Sequence, residues 1–226
     1  MTSDGRLAAP CDQELVEFYV ALVRWAEKHP PALTPRLFAL NVGDRLFLGP
    51  RGHGSYTLSN VRPGDNVVFA ATGTGEAPHN AMLAELLSRG HRGQIVCATC
   101  VRYQHDLAYL AEHRKLESMF SNYRYVSLTT REPQNLDPSR SDFIGKQYLQ
   151  EFFSSGKLEH TCGLALDPSR THVFLCGNPT MIGAPQHAHA LRFYPRPTGM
   201  VEILEGRGFT LDEPHQPGNI HLEKYW

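Results

Sequence analysis

The chain has 226 residues, with 22 Lys and Arg against 23 Asp and Glu, a formal net charge of −1, 41% hydrophobic and 20% charged residues. That balance belongs to a globular chain long enough to bury a core, and it lacks the strong basic excess of a general nucleic-acid binder. No apolar run approaches the roughly 20 residues of a membrane-spanning helix. The start, Met1-Thr2-Ser3-Asp4-Gly5, has no secretory pattern, and an odd number of cysteines, five, argues against a disulfide framework, so the expected compartment is cytoplasmic.

In chain order, the β-branched and aromatic run Val16 to Val23 predicts a strand. Leu33-Thr34-Pro35-Arg36-Leu37 predicts a short helical turn with Thr34 as cap and Pro35 at the first helical position. Asp44 to Leu48 and Ser55 to Leu58 predict two further strands, and Pro63-Gly64-Asp65 a turn and a boundary. Beyond it the pattern alternates. Val67 to Ala71, Gln94 to Thr99, Tyr123 to Leu128 and His172 to Cys176 read as strands. Pro78 to Ser88, Leu107 to Phe120, Gly145 to Ser154 and Met200 to Glu205 read as helices. Strand–helix alternation predicts a parallel sheet with helices on both faces. The expected division is a partial antiparallel β-barrel over 1–64 and an α/β nucleotide-binding domain with a C-terminal tail over 65–226.

Open parallel sheets bind ligands outside the carboxyl ends of their strands. After the first strand of the alternating region comes Thr72-Gly73-Thr74-Gly75-Glu76-Ala77-Pro78, a glycine turn into a helix N-terminus, which suits a pyrophosphate. After the second comes Val101-Arg102-Tyr103, where NAD-binding sheets usually place an acid for the ribose 2′-hydroxyl. After the third comes Thr130-Arg131-Glu132. Guanidinium forks match a phosphate, so Arg102 and Arg131, joined by Lys146 at the start of a helix, favour NADP over NAD. After the fourth comes Cys176-Gly177-Asn178-Pro179-Thr180-Met181, with Gly177 for close approach and Pro179 for a helix start.

From about residue 14 onward these motifs, together with Ala71 ahead of the glycine turn, Leu33 to Leu37 with Gly43-Asp44, and the ending Glu223-Lys224-Tyr225-Trp226, resemble the bacterial ferredoxin–NADP reductases, flavoproteins with a β-barrel FAD domain and an α/β NADP domain. The resemblance implies that Arg102, Thr130, Arg131 and Lys146, the last in place of an arginine, hold the ribose phosphate region, with Val101 beside them, and that Gly73 and Gly75 form the pyrophosphate turn. It implies that Asn178, Pro179 and Thr180 line the nicotinamide side and that Cys176 packs beside the hydride-transfer locus. Thr74, Val20, Ala21, Leu22, Ala32, Leu33 and Thr34 would face FAD, and Tyr225 and Trp226 would stack on the flavin. Ferredoxin or flavodoxin is the implied partner. The family's Arg-x-Tyr-Ser motif and first barrel strands have no counterpart here, since Ser3-Asp4-Gly5-Arg6 stands at the corresponding place; the alternatives are a misplaced start, a truncated chain or weakened FAD binding, and weak FAD binding is the expectation for the chain as written.

Cys97-Ala98-Thr99-Cys100 lies within a strand, whose alternation sends the two thiols to opposite faces and predicts buried structural cysteines. The twelve histidines show no convergent spacing and read as surface residues. The absence of a Gly-x-Ser-x-Gly elbow or an acid dyad leaves hydrolase readings unsupported. The expected activity is electron transfer between NADPH and ferredoxin or flavodoxin through FAD. The alternatives are another NADPH-dependent flavin reductase or a flavin-less NADP-binding remnant.

Overall fold

A computed structural model describes residues 16–22, 32–47, 54–189 and 191–224. Its centre is a five-stranded sheet of β1 (Asn66–Thr72), β2 (Ile95–Val101), β3 (Tyr123–Thr129), β4 (Thr171–Gly177) and β7 (Ile220–Lys224), in the order β3-β2-β1-β4-β7. Every pairing is parallel, with Val67 opposite Ile95 and His172, Cys97 opposite Tyr125, and Leu175 opposite Leu222. The chain moves outward one way from β1 to β3, then returns to the other side of β1 with β4. The strand order therefore reverses between β1 and β4, which opens a crevice at their carboxyl ends.

The sequence explains the strands. β1, β2 and β4 are buried on both faces and so read as largely apolar runs. On one face Val67, Phe69, Ile95, Cys97, Tyr123, Tyr125 and Phe174 pack under α2 (Glu76–Ser88) and α3 (Leu110–Met119). On the other, Val68, Ala70, Val96, Ala98, Cys100, Val173 and Leu175 pack against α5 (Leu149–Ser154), α6 (Lys157–Cys162) and α8 (Met200–Glu205). Cys97 and Cys100 fall on opposite faces, both buried. Short α4 (Pro133–Leu136) and α7 (Pro179–Ile182) follow β3 and β4, and a hairpin of β5 (Gln186–Ala188) and β6 (Leu191–Phe193) precedes α8.

The N-terminal expectations fare differently. Among the described residues no strand precedes β1: 16–22, 44–47 and 55–58 are irregular or turn, while Val23 and Leu48 lie outside the described residues. The physical reason is pairing, since β-branched residues hold a strand only where a neighbouring strand takes up their backbone groups. The described residues of the expected barrel half thus show no strand. α1 (Thr34–Phe38) forms with Pro35 in its first turn, but the cap is Leu33 rather than Thr34. The helix expected from Gly145 starts at Leu149, because Gly145 takes a positive φ of 73° that interrupts helical geometry. Lys146 therefore lies on an irregular stretch rather than on a helix.

The histidines also depart from the surface reading. His79, His113 and His221 are buried. His172 Nδ1 and His221 Nε2 stand 3.0 Å apart, with Asp65 3.5 Å from the first ring and Asp212 3.1 Å from the second. Burial pushes both imidazoles below their ordinary pKa against the pull of these carboxylates. This chain joins β4 and β7 near the starts of both strands, at the end of the sheet away from the crevice.

Candidate functional site

Two loops meet where β1 and β4 end. After β1, a single 3-10 turn over Gly73–Gly75 runs straight into α2. Gly73 sits at φ 53° with open space where a side chain would project, so its bare backbone can be approached closely. Gly75 and Gly177 serve a different need, the contact of one loop with the other. A Cβ on Gly75 would stand 2.3 Å from the Cys176 carbonyl oxygen, and one on Gly177 2.3 Å from Thr72 Oγ1. The Asn178 backbone N–H donates to the same Thr72 hydroxyl at 2.8 Å, tying the second loop to the first strand.

Asn178 Oδ1 accepts the Thr180 N–H at 2.8 Å and caps α7, with Pro179 in the first turn. Asn178 and Thr180 remain exposed at the crevice, Pro179 is half-buried, and Cys176 is fully buried at the end of β4. Thr74 is half-buried in the first loop.

The positive edge lies at the ends of β2 and β3, which pair up to Val101 and Thr129. The Arg102 carbonyl accepts the N–H groups of Arg131 at 2.9 Å and Thr130 at 3.4 Å, and Thr130 Oγ1 donates to the Val101 carbonyl at 3.3 Å. Arg102 and Arg131 thus sit on directly hydrogen-bonded backbone. Lys146 joins them through the Gln147 N–H, which donates to the Thr129 carbonyl at 3.3 Å. All three cations are exposed, and among the described residues none makes an ion pair. Three unneutralised cations beside a glycine-lined crevice at a helix N-terminus suit a ligand with two separated phosphate groups.

Sequence reasoning missed a buried polar cluster beneath the first loop. Glu76, 2% exposed, places Oε1 as acceptor for Thr99 Oγ1 and Tyr125 OH, both at 2.9 Å, with His113 Nε2 at 3.1 Å. His113 Nδ1 lies 2.7 Å from Tyr123 OH. The converging donors make the carboxylate a fixed anchor for the start of α2. A polar Glu inside the glycine turn was the only signal, and its partners lie 23 to 49 positions away.

The residues expected to face FAD lie mostly on partly exposed N-terminal chain. Val20 and Leu22 are half-buried and Ala21 exposed on an irregular stretch, while Ala32 and Leu33 are exposed and Thr34 half-buried at the start of α1. The 16–22 stretch is held to the loop after β2 by Tyr19 OH, which donates to the Asp106 carbonyl at 2.7 Å, and by Tyr109 OH, which donates to Glu17 at 2.5 Å. Burial and the nearby Glu76 and Asp106 carboxylates push the Tyr19 hydroxyl up to about 12. Tyr56, within the expected strand Ser55 to Leu58, packs on Phe174 and hydrogen-bonds His79 at 2.8 Å. Tyr225 and Trp226 lie outside the described residues.

Comparison with known proteins agrees with this geometry. Residues 69–187, more than half of the chain, match the oxidoreductase NAD-binding domain. Ferredoxin–NADP reductase A of Sorangium cellulosum is 30% identical over 96% of this chain and 71% of its own length. Flavodoxin/ferredoxin–NADP reductase of Buchnera aphidicola is 27% identical over 96% of this chain and 77% of its own. Among solved structures, a ferredoxin NADP+ reductase from Neisseria gonorrhoeae with bound FAD and NADP superposes with a TM-score of 0.59 at 20% identity, over 76% of this chain and 61% of that one. The fold, the paired glycine loops and these matches together establish that the chain belongs to the ferredoxin–NADP reductase family of oxidoreductases.

Proposed function

We propose that the protein binds NADPH across the crevice between β1 and β4 and takes part in electron transfer to ferredoxin or flavodoxin, with FAD as the relay. The observation that carries the nucleotide half is the set of three exposed cations without an ion pair among the described residues, Arg102 and Arg131 on directly hydrogen-bonded backbone and Lys146 next to Gln147, whose N–H donates to the Thr129 carbonyl. The residues present fit NADP. Gly73 and Gly75 with the first turn of α2 would take the pyrophosphate, the cations and Thr130 the 2′-phosphate, and Asn178, Pro179 and Thr180 the nicotinamide end. Cys176 acts there by packing, since burial removes its thiol from solvent. When bound, NADPH supplies a hydride, and a flavin parts that electron pair into single electrons.

The described residues do not fit a walled flavin site, because Val20 to Leu22 and Ala32 to Thr34 lie on open, partly exposed chain. That observation favours a second reading, an NADP-binding oxidoreductase domain without tightly held flavin. FAD titration followed by fluorescence quenching separates the two, stoichiometric tight binding favouring the first and weak binding the second.

The nucleotide assignment is tested by calorimetric titration with NADPH and NADH. Charge-assisted bonds contribute about 1.5–3 kcal/mol each. Changing both Arg102 and Arg131 to Ala should therefore weaken NADPH binding about a hundredfold or more, at about 1.4 kcal/mol per tenfold, and spare NADH. Equal losses for the two nucleotides would refute it.

A further inference from the structure

Between α4 and α5 the chain crosses 137–148 without regular secondary structure, yet this stretch carries Lys146. A cation on an unanchored stretch would lose its freedom only at the moment of binding, at the expense of affinity. The structure holds the stretch from within. Asn135 is 3% exposed, and its side-chain amide makes three hydrogen bonds. Oδ1 accepts from Thr129 Oγ1 at 2.8 Å and from the Glu132 N–H at 2.9 Å, and Nδ2 donates to the Gly145 carbonyl at 2.9 Å. Glu132 directly follows Arg131, and Gly145 directly precedes Lys146. The neighbouring Gln134 carbonyl adds bonds from the Ile144 N–H at 2.8 Å and the Gly145 N–H at 3.3 Å.

We propose that Asn135 is a positioning residue for nucleotide selection: its buried amide fixes the backbone beside Arg131 and beside Lys146, so that both cations stand ready for the phosphate that distinguishes NADPH from NADH. The inference rests on the reading of those cations given above. A carboxamide suits the place by its chemistry. Both lone pairs of the oxygen are engaged by donors on the strand and turn, while the nitrogen reaches a carbonyl on the opposite segment. An aspartate would keep the first two bonds and set an oxygen against the Gly145 carbonyl. An alanine would keep none.

The test compares Asn135→Ala with the wild-type chain by calorimetric titration of NADPH and NADH, in the presence and absence of the pair Arg131→Ala and Lys146→Ala. NADPH affinity should fall about tenfold, equal to about 1.4 kcal/mol, with NADH affinity within about twofold. The tenfold loss should disappear in the background lacking the two cations, because nothing is then left to position. Asn135→Asp, which retains two of the three bonds, serves if the alanine variant does not fold. It should show the same NADPH-selective loss and the same dependence on the cations. Equal loss for both nucleotides, or a loss that persists in full without Arg131 and Lys146, would overturn the proposal while leaving the cation assignment intact. If the pair Arg131→Ala and Lys146→Ala itself weakens NADPH and NADH equally, the cation assignment fails, and the role of Asn135 falls with it.

Discussion

Lowering the pH from 7 to 5 should destabilise the fold through His79. This imidazole is 1% exposed on α2, bonded to Tyr56 OH at 2.8 Å and lying with its centroid 4.9 Å from the Phe69 ring. Burial pushes its pKa down to about 3. In the unfolded chain it titrates near 6.5, so between these values the unfolded state binds the extra proton and the folded state does not. Stability then rises with pH. It is fully present above the unfolded value and is lost progressively as pH falls toward the folded one. At pH 5 the acidity lies about one and a half pH units below the unfolded value, a loss of about 2 kcal/mol at about 1.4 kcal/mol per unit. His172 and His221, also pushed down, lose stability in the same direction. Urea denaturation of the wild-type chain and of His79→Phe, at several pH values from 7 to 5, isolates the His79 share. The wild-type curve should fall by about 2 kcal/mol more than that of the variant. Parallel curves, or a wild-type chain that gains stability on acidification, would refute the reasoning.

The remaining predictions concern the crevice and its support. Gly75→Ala and Gly177→Ala each place a Cβ at 2.3 Å from a neighbour, the Cys176 carbonyl oxygen and Thr72 Oγ1 respectively, and Gly177 also sits at φ 126°. Each should cost about 1–3 kcal/mol in denaturant melts and weaken NADPH binding in titration, whereas Gly73→Ala, with open space but a positive φ, should cost only about 1 kcal/mol. Glu76→Leu leaves the Thr99 and Tyr125 hydroxyls without their acceptor. It should destabilise by about 2–4 kcal/mol, with Glu76→Gln milder in the same denaturation assay because the amide oxygen still accepts. Cys176→Ser should slow single-turnover hydride transfer while leaving NADPH affinity largely unchanged, and an unchanged rate would remove Cys176 from the hydride-transfer locus.

The strands that were legible are those that physics marks twice. Val67 to Ala71 and His172 to Cys176 are covered on both faces, so burial writes an apolar run into the sequence, and the glycine loops that follow announce the crevice. β7 was not legible. Ile220-His221-Leu222-Glu223-Lys224 is the last strand of the sheet, paired with β4 and bridged at Ile220 to Leu211, and its exposed end is charged, so neither alternation nor an apolar run stands out. The run from Val16 shows the opposite error. Its composition favours a strand, but the described part finds no strand to pair with, and propensity alone does not supply one. Arg102 and Arg131 could be placed together because both follow strands of one parallel sheet. Asn135 could not, because its three partners are chosen by the folding of a turn and a long irregular stretch rather than by any period.

That contrast explains how the support of this site is divided. The sheet itself fixes what lies at its strand ends, so the glycine turn and Arg102 are held by backbone ladders that any sequence with this pattern would form. The sheet does not fix what lies beyond, and there side chains take over. The Thr72 hydroxyl holds the Asn178 loop, Glu76 gathers the hydroxyls of Thr99 and Tyr125 with the His113 ring, and the Asn135 amide joins two segments that each carry a cation. Each of these anchors is a polar group that is half or fully buried, where an unmet hydrogen bond is costly and a met one is directional. Substitution at such an anchor should therefore shift how the site discriminates before it abolishes binding, because the backbone ladder that presents the crevice remains.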